Sequence, residues 1–244
     1  MKALTNNKLR SILVSLLCLL VAGGAGVYWF MLRDSAAAPL ALHTDASLSR
    51  TASSTVLSGD WTVVAGAGAQ ATTAGYRVKE RVLGVGADTA TGRTHDVTGS
   101  VVVVGREVTA ARFTVNMTTL KSNKSLRDDV LKTTAIDTNS FPTSSFTLTD
   151  PIALPATPPG KVTTVEARGR LLLHGVSNRV SVTLHYEQTR TGFLLLADMP
   201  IVMADYSIKA PSVAGVVSVE DHGSFELLAN LARQPANTPL RPNA

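Results

Sequence analysis

The sequence predicts an all-β, mainly antiparallel domain with one short helix, preceded by an N-terminal transmembrane helix. Three observations predict it: apolar and polar residues alternate with period two from Trp61 onward, Gly-containing turns separate the alternating segments, and Ser11–Leu32 is a run of 22 residues without a charge. The chain has 244 residues, 45% hydrophobic and 17% charged, enough for one sizeable core rather than two. A single Cys, Cys18, excludes an intramolecular disulfide and a Cys-cluster metal site.

Residues 1–10 carry Lys2, Lys8 and Arg10 and read as a cytoplasmic leader to residues 11–32. At 1.5 Å per residue the 22 uncharged residues reach about 33 Å, enough to cross a hydrocarbon core of roughly 30 Å. The cations before the run, with Tyr28, Trp29 and Phe30 at its far end, place everything beyond residue 33 outside the cytoplasm. The expectation is a single-pass cell-membrane protein with its C-terminal domain extracytoplasmic. The alternative is a secreted protein whose leader is cleaved at Ala22-Gly23-Gly24 or at Ser35-Ala36-Ala37. Residues 33–57 are rich in Ala, Ser and Thr and read as a tether, 58–232 as the folded domain, and 233–244, with three Pro, as a flexible tail.

Nothing in the charge points to a nucleic-acid partner, and none is expected. The net +5 arises at the N-terminus, since four of the 23 basic residues precede the first acid, Asp34, and 19 basic residues then face 18 acidic ones.

Strands are expected around 61–65, 74–85, 93–104, 112–118, 144–149, 163–174, 179–187, 193–203, 217–220 and 224–227. Gly175-Val176-Ser177-Asn178 reads as a hairpin turn and Asp221-His222-Gly223 as another. Val101–Val104 and Leu194–Leu196 are apolar on both faces, which implies a covered outer surface. Alternation of this kind fits a sandwich or a closed barrel. The helix begins at Ser125-Leu126-Arg127-Asp128, a capping-box variant with Asp128 and Asp129 in the first turn, and Leu126 and Val130 share a face.

Two motifs carry a family resemblance. Arg127-Asp128-Asp129-Val130-Leu131 followed by Phe141-Pro142-Thr143-Ser144-Ser145-Phe146, and the hairpin Leu172-Leu173-His174-Gly175-Val176-Ser177-Asn178-Arg179-Val180, resemble the signatures of the YceI-like, polyisoprenoid-binding proteins. Trp61 and Val97-Thr98-Gly99-Ser100-Val101 are similar to the family's opening strand and its glycine-marked strand. Ala74–Glu80 departs from the histidine-bearing strand usual there. The resemblance implies a lipocalin-like, eight-stranded barrel crossed by one helix, with a long isoprenoid chain in its lumen. It also implies that Arg127 ties the helix to the barrel by a charge-assisted bond.

The lumen candidates follow strand by strand. Tyr76 and Val78 come from the first long strand, Phe113, Val115 and Met117 from the next, and Leu126 from the helix. Phe146, Leu148, Leu171 and Leu173 follow. Val182, Leu184, Phe193, Leu195 and Phe225 complete the set. Arg93, Arg127 and Lys132 are candidates for the ligand's polar head.

Chemistry is sparse elsewhere. His95, His174, His185 and His222 form no ligand-spaced pair, and no GxSxG occurs. Gly84-Val85-Gly86 lacks both the further glycine and the helix of a phosphate loop. The expectation is a non-enzyme without metal or cofactor that sequesters or carries a quinone or polyprenyl lipid. The rival is a stress-response or interaction module with a solid-packed barrel.

Overall fold

The computed structural model describes residues 36–42 and 57–234, apart from positions 85, 159, 190, 191 and 214. Among the described residues no helix is long and apolar enough to cross a membrane. The expected span Ser11–Leu32 and nearly all of the expected tail lie outside the described residues.

The described domain is one antiparallel sheet of twelve strands: β1 (Gly59–Val64), β2 (Thr73–Val82), β3 (Gly86–Thr94), β4 (Val97–Val104), β5 (Glu107–Asn116), β6 (Thr143–Leu148), β7 (Ile152–Ala153), β8 (Thr163–Leu173), β9 (Val176–Gln188), β10 (Gly192–Val202), β11 (Ser212–Val213) and β12 (Val217–Arg233). Neighbours run β1-β4-β5-β6-β8-β9-β10-β12, and β12 returns to β1, so the sheet closes into a barrel. It has eight staves, because β1 and β2 lie end to end along β12. Trp61–Val64 pair with 230–233, and Thr73–Val82 pair with 217–228. β3 and β4 form the next stave in the same divided way, β3 on β2 and β4 on β1. The barrel expected from the motifs is therefore present; β3 is paired along its length by β2, and among the described residues its other side bridges only to Lys121, at Arg93.

Local chemistry explains three departures from the expected elements. The β8–β9 hairpin turns on two residues, not four: His174 and Gly175 have φ of 49° and 74°, the sign a type I′ turn needs, and Leu173 pairs directly with Val176. His174 can hold that conformation because its ring is engaged on both sides. Its Nδ1 lies 2.9 Å from the Tyr206 carbonyl and its ring meets Phe141 edge-on at 4.5 Å. Residues 221–223 are not a turn either. They belong to a register slip between Val219 and Gly223, across which β12 continues.

The third departure concerns the cap. Helix α1 (Ser125–Val130) has no side-chain cap at its start. Asp128 instead reaches back to Ser122, accepting from its backbone N–H and its hydroxyl at 2.8 Å each, with Lys121 3.7 Å away. The capping bond thus forms three residues upstream of the expected one. A π-helical turn, Leu131–Ala135, extends α1.

Part of the expected tether is docked. Residues 36–42 run extended against β2 and β3: the Ala37 N–H donates to Thr91 Oγ1 (3.2 Å), Arg77 donates to the Ala37 carbonyl (2.6 Å), and Arg93 to that of Ala38. The same two guanidiniums hold Glu226 of β12 at 3.0 and 3.3 Å.

The two-sided apolar run in β10 also has an observed environment. Leu194 is buried, paired with Glu187 on one side and Asn230 on the other. Burial pushes the Glu187 carboxyl above its ordinary range. A raised carboxyl pKa means that the folded state loses stability as pH rises through the window between the unfolded and folded values. Glu187→Gln should therefore stabilise the protein at neutral pH, a gain that disappears below about pH 4, in denaturant titrations across pH.

Close strand approach is the second fold constraint. A Cβ on Gly75 would lie 2.2 Å from the Gly92 carbonyl oxygen, backbone that cannot swing away. Gly75→Ala should cost about 1–3 kcal/mol in the same measurement.

Candidate functional site

The barrel interior is not filled. Alternation on each strand turns one face inward, and these faces enclose two apolar cavities, of about 150 Å³ and about 250 Å³. The smaller is walled by β4, β5, β6, β8, β9, β10 and β12, with Ala74 and Gly75 of β2 and Ile152 of β7. Phe113, Val115, Met117, Phe146, Leu148, Leu171, Val182, Leu184, Phe193 and Leu195 all face it. The larger lies under α1, bounded by Tyr76, Val78, Leu126 and Leu173, and Phe225 borders both. The structure therefore places all fifteen sequence-derived lumen positions on a cavity wall. Leu126 is the outermost, 73% exposed at the rim, whereas Val130 is half-buried against the core.

Glycines shape this wall where aromatic rings need space. A Cβ on Gly169 would come within 2.4 Å of the Phe146 ring, and one on Gly92 within 2.3 Å of Tyr76. Each ring fills the space beside the glycine. At the far end Trp61, 1% exposed, packs edge-on against Phe193 at 4.6 Å and donates to the Leu57 carbonyl at 3.1 Å. Tyr186 also lines the smaller cavity, and burial raises the pKa of its phenol, favouring the neutral form.

Several wall residues were not singled out from the sequence. Val101, Val103, Ile152 and Leu154 line the smaller cavity; Leu131, Ala135, Ile201 and Ile208 line the larger. Val101 and Val103 were hidden inside a run apolar on both faces. Ile152 and Leu154 stand in and beside the two-residue strand β7, too short for a period to register.

The three polar candidates separate. Arg127 reaches the larger cavity and donates to Glu80 Oε1 at 2.8 Å, with side-chain exposures of 14% and 6%. Glu80 shares a β2 face with Tyr76 and Val78, so this ion pair binds the helix to the inner side of the barrel. Arg93 lines neither cavity and is engaged by Glu226 and the docked 36–42 segment. Lys132 also lines neither, and its ammonium sits 3.6 Å from Asp129 on the outside of the helix. The four His among the described residues are each engaged locally: His95 with Thr72, His174 with Tyr206, His185 with Thr164 and His222 with Asp221. Among the described residues no group of three or more His, Cys, Asp or Glu converges as a metal site.

Such a closed barrel of eight staves, apolar within and covered by a helix on one side, belongs to the small antiparallel β-barrels. The YceI-like domain model matches residues 61–230. The chain belongs to the YceI-like family. Its fold is similar to that of a polyisoprenoid binding domain from Saccharophagus degradans implicated in plant cell wall breakdown, with 15% identity and a TM-score of 0.56 over 71% of this chain and 98% of that one. It is also similar to BcnA of Burkholderia cenocepacia, with 14% identity and a TM-score of 0.51 over 66% and 96% of the two chains. No curated protein matches the sequence.

Removing the Arg127 guanidinium leaves Glu80 charged, buried and without that partner. Arg127→Ala should cost about 3 kcal/mol of stability. The double substitution Glu80→Gln with Arg127→Ala should recover part of that loss, in a double-mutant cycle with the two single variants read by chemical denaturation.

Proposed function

We propose that this chain is a non-enzymatic lipid-binding module that holds an isoprenoid, a quinone or a polyprenyl lipid, within its barrel, and that residues 11–32 tether it to the membrane with the barrel on the extracytoplasmic side. The observation that carries this reading is the pair of cavities walled almost wholly by aliphatic and aromatic side chains. A hydrocarbon guest fits such a wall without hydrogen bonds, and each CH₂ it buries contributes about 0.8 kcal/mol. An eight-stranded barrel is just wide enough for side chains or one small guest, which suits a slender prenyl chain. The S. degradans relative, described as a polyisoprenoid binding domain, supports the same chemistry. Arg127 is the one head-group candidate at a cavity, and its bond to Glu80 assigns it first to holding the helix.

The full chain purified from its native membrane should carry prenyl lipid, recoverable by organic extraction and identified by mass spectrometry. Repeated extracts without such lipid, together with failure to take up added prenyl chains, would exclude the carrier reading in favour of the interaction module.

A further inference from the structure

The two cavities meet at one side chain. Among the described residues Phe225 alone lines both the chamber of about 150 Å³ and the chamber of about 250 Å³. Neither reaches the roughly 300 Å³ at which ordinary ligand pockets begin. A long apolar chain therefore needs both, and the way between them passes this ring. Although it stands inside the barrel, Phe225 is only half-buried, as expected of a side chain with open space on two sides.

We propose that Phe225 is a partition that sets the length of prenyl chain the lumen accepts: in the position seen here it divides the lumen, and a chain longer than one chamber is admitted only when the ring turns aside. This rests on the isoprenoid reading above. The surroundings of the ring favour such a role. Its cross-strand neighbours are Tyr76 on β2 and Met199 on β10. Tyr76 is fixed, its ring lying on Gly92 where no Cβ could fit. Met199 is unbranched and adaptable, and it lines the smaller chamber, so the ring has a rigid neighbour on one side and a pliant one on the other. The register slip of β12 ends at Gly223, two residues before Phe225, and bulges of this kind re-aim the side chains beside them.

The test uses the full chain in detergent, titrated with two prenyl alcohols: geranylgeraniol, and solanesol, whose chain is more than twice as long. The quantity read is the ratio of the two dissociation constants. Phe225→Ala should shift that ratio at least about tenfold toward solanesol, and Phe225→Trp should shift it the opposite way. Phe225→Leu, closer in volume, should shift it in the same direction as Ala by less, and it keeps the test decisive if the Ala variant fails to fold. A ratio unchanged within about twofold in these variants, while the wild-type chain binds geranylgeraniol, overturns the partition and leaves the isoprenoid reading standing. A wild-type chain that binds neither alcohol overturns both.

Discussion

Closure of the sheet by β12 is the constraint on which the rest of the structure depends. This strand of 17 residues pairs with β10 along one side, and with β2 and then β1 along the other. Backbone hydrogen bonds in a ladder are individually modest, but an open edge through an apolar interior would expose both the ladder and the side chains behind it to water. Two-sided pairing of one long strand avoids this, and it fixes the inward positions of every stave, since a slip of one residue would turn each side chain to the opposite face. The interior is apolar because the alternation in each strand is in phase with that closure.

Two of the three head-group candidates, Arg127 and Arg93, take part in ion pairs that join elements of the barrel. Glu80 and Arg127 bind α1 to β2 from within, and Arg77 and Arg93 converge on Glu226 from the other face of β2. Ion pairs with one member nearly excluded from water are costly to form and costlier to break singly. Here they sit where the barrel is least regular, at the helix and at the divided staves.

Most strands and the inward face were legible in the sequence because Val, Leu and Phe alternate with polar residues in β5, β9 and parts of β12. The elements that were not legible have physical reasons. β3 reads Gly-Ala-Asp-Thr-Ala-Thr-Gly-Arg-Thr, with no large apolar residue, and no strand was expected over most of it. At Gly92 the Tyr76 ring occupies the space that a side chain would need, and Ala90, opposite Val78, is buried in the same core. The bulge in β12 was mistaken for a turn since Asp-His-Gly has turn chemistry; pairing on both sides overrode that local preference. Arg93 looked like a cavity cation only because alternation in so polar a strand cannot tell inside from outside. The division of the lumen by Phe225 left no sequence signal at all, because it depends on where β2 and β10 bring Tyr76 and Met199.

The docked segment 36–42 bears on how the barrel responds to load. A pull applied through the polypeptide at Ala36 would be received by Arg77 and Arg93 and passed to Glu226 in the closing strand, spreading across three staves before any ladder begins to part. The domain is thus gripped by its waist rather than by its first strand, and strain arriving along the chain would reach the wall that Phe225 stands on before it reached Trp61.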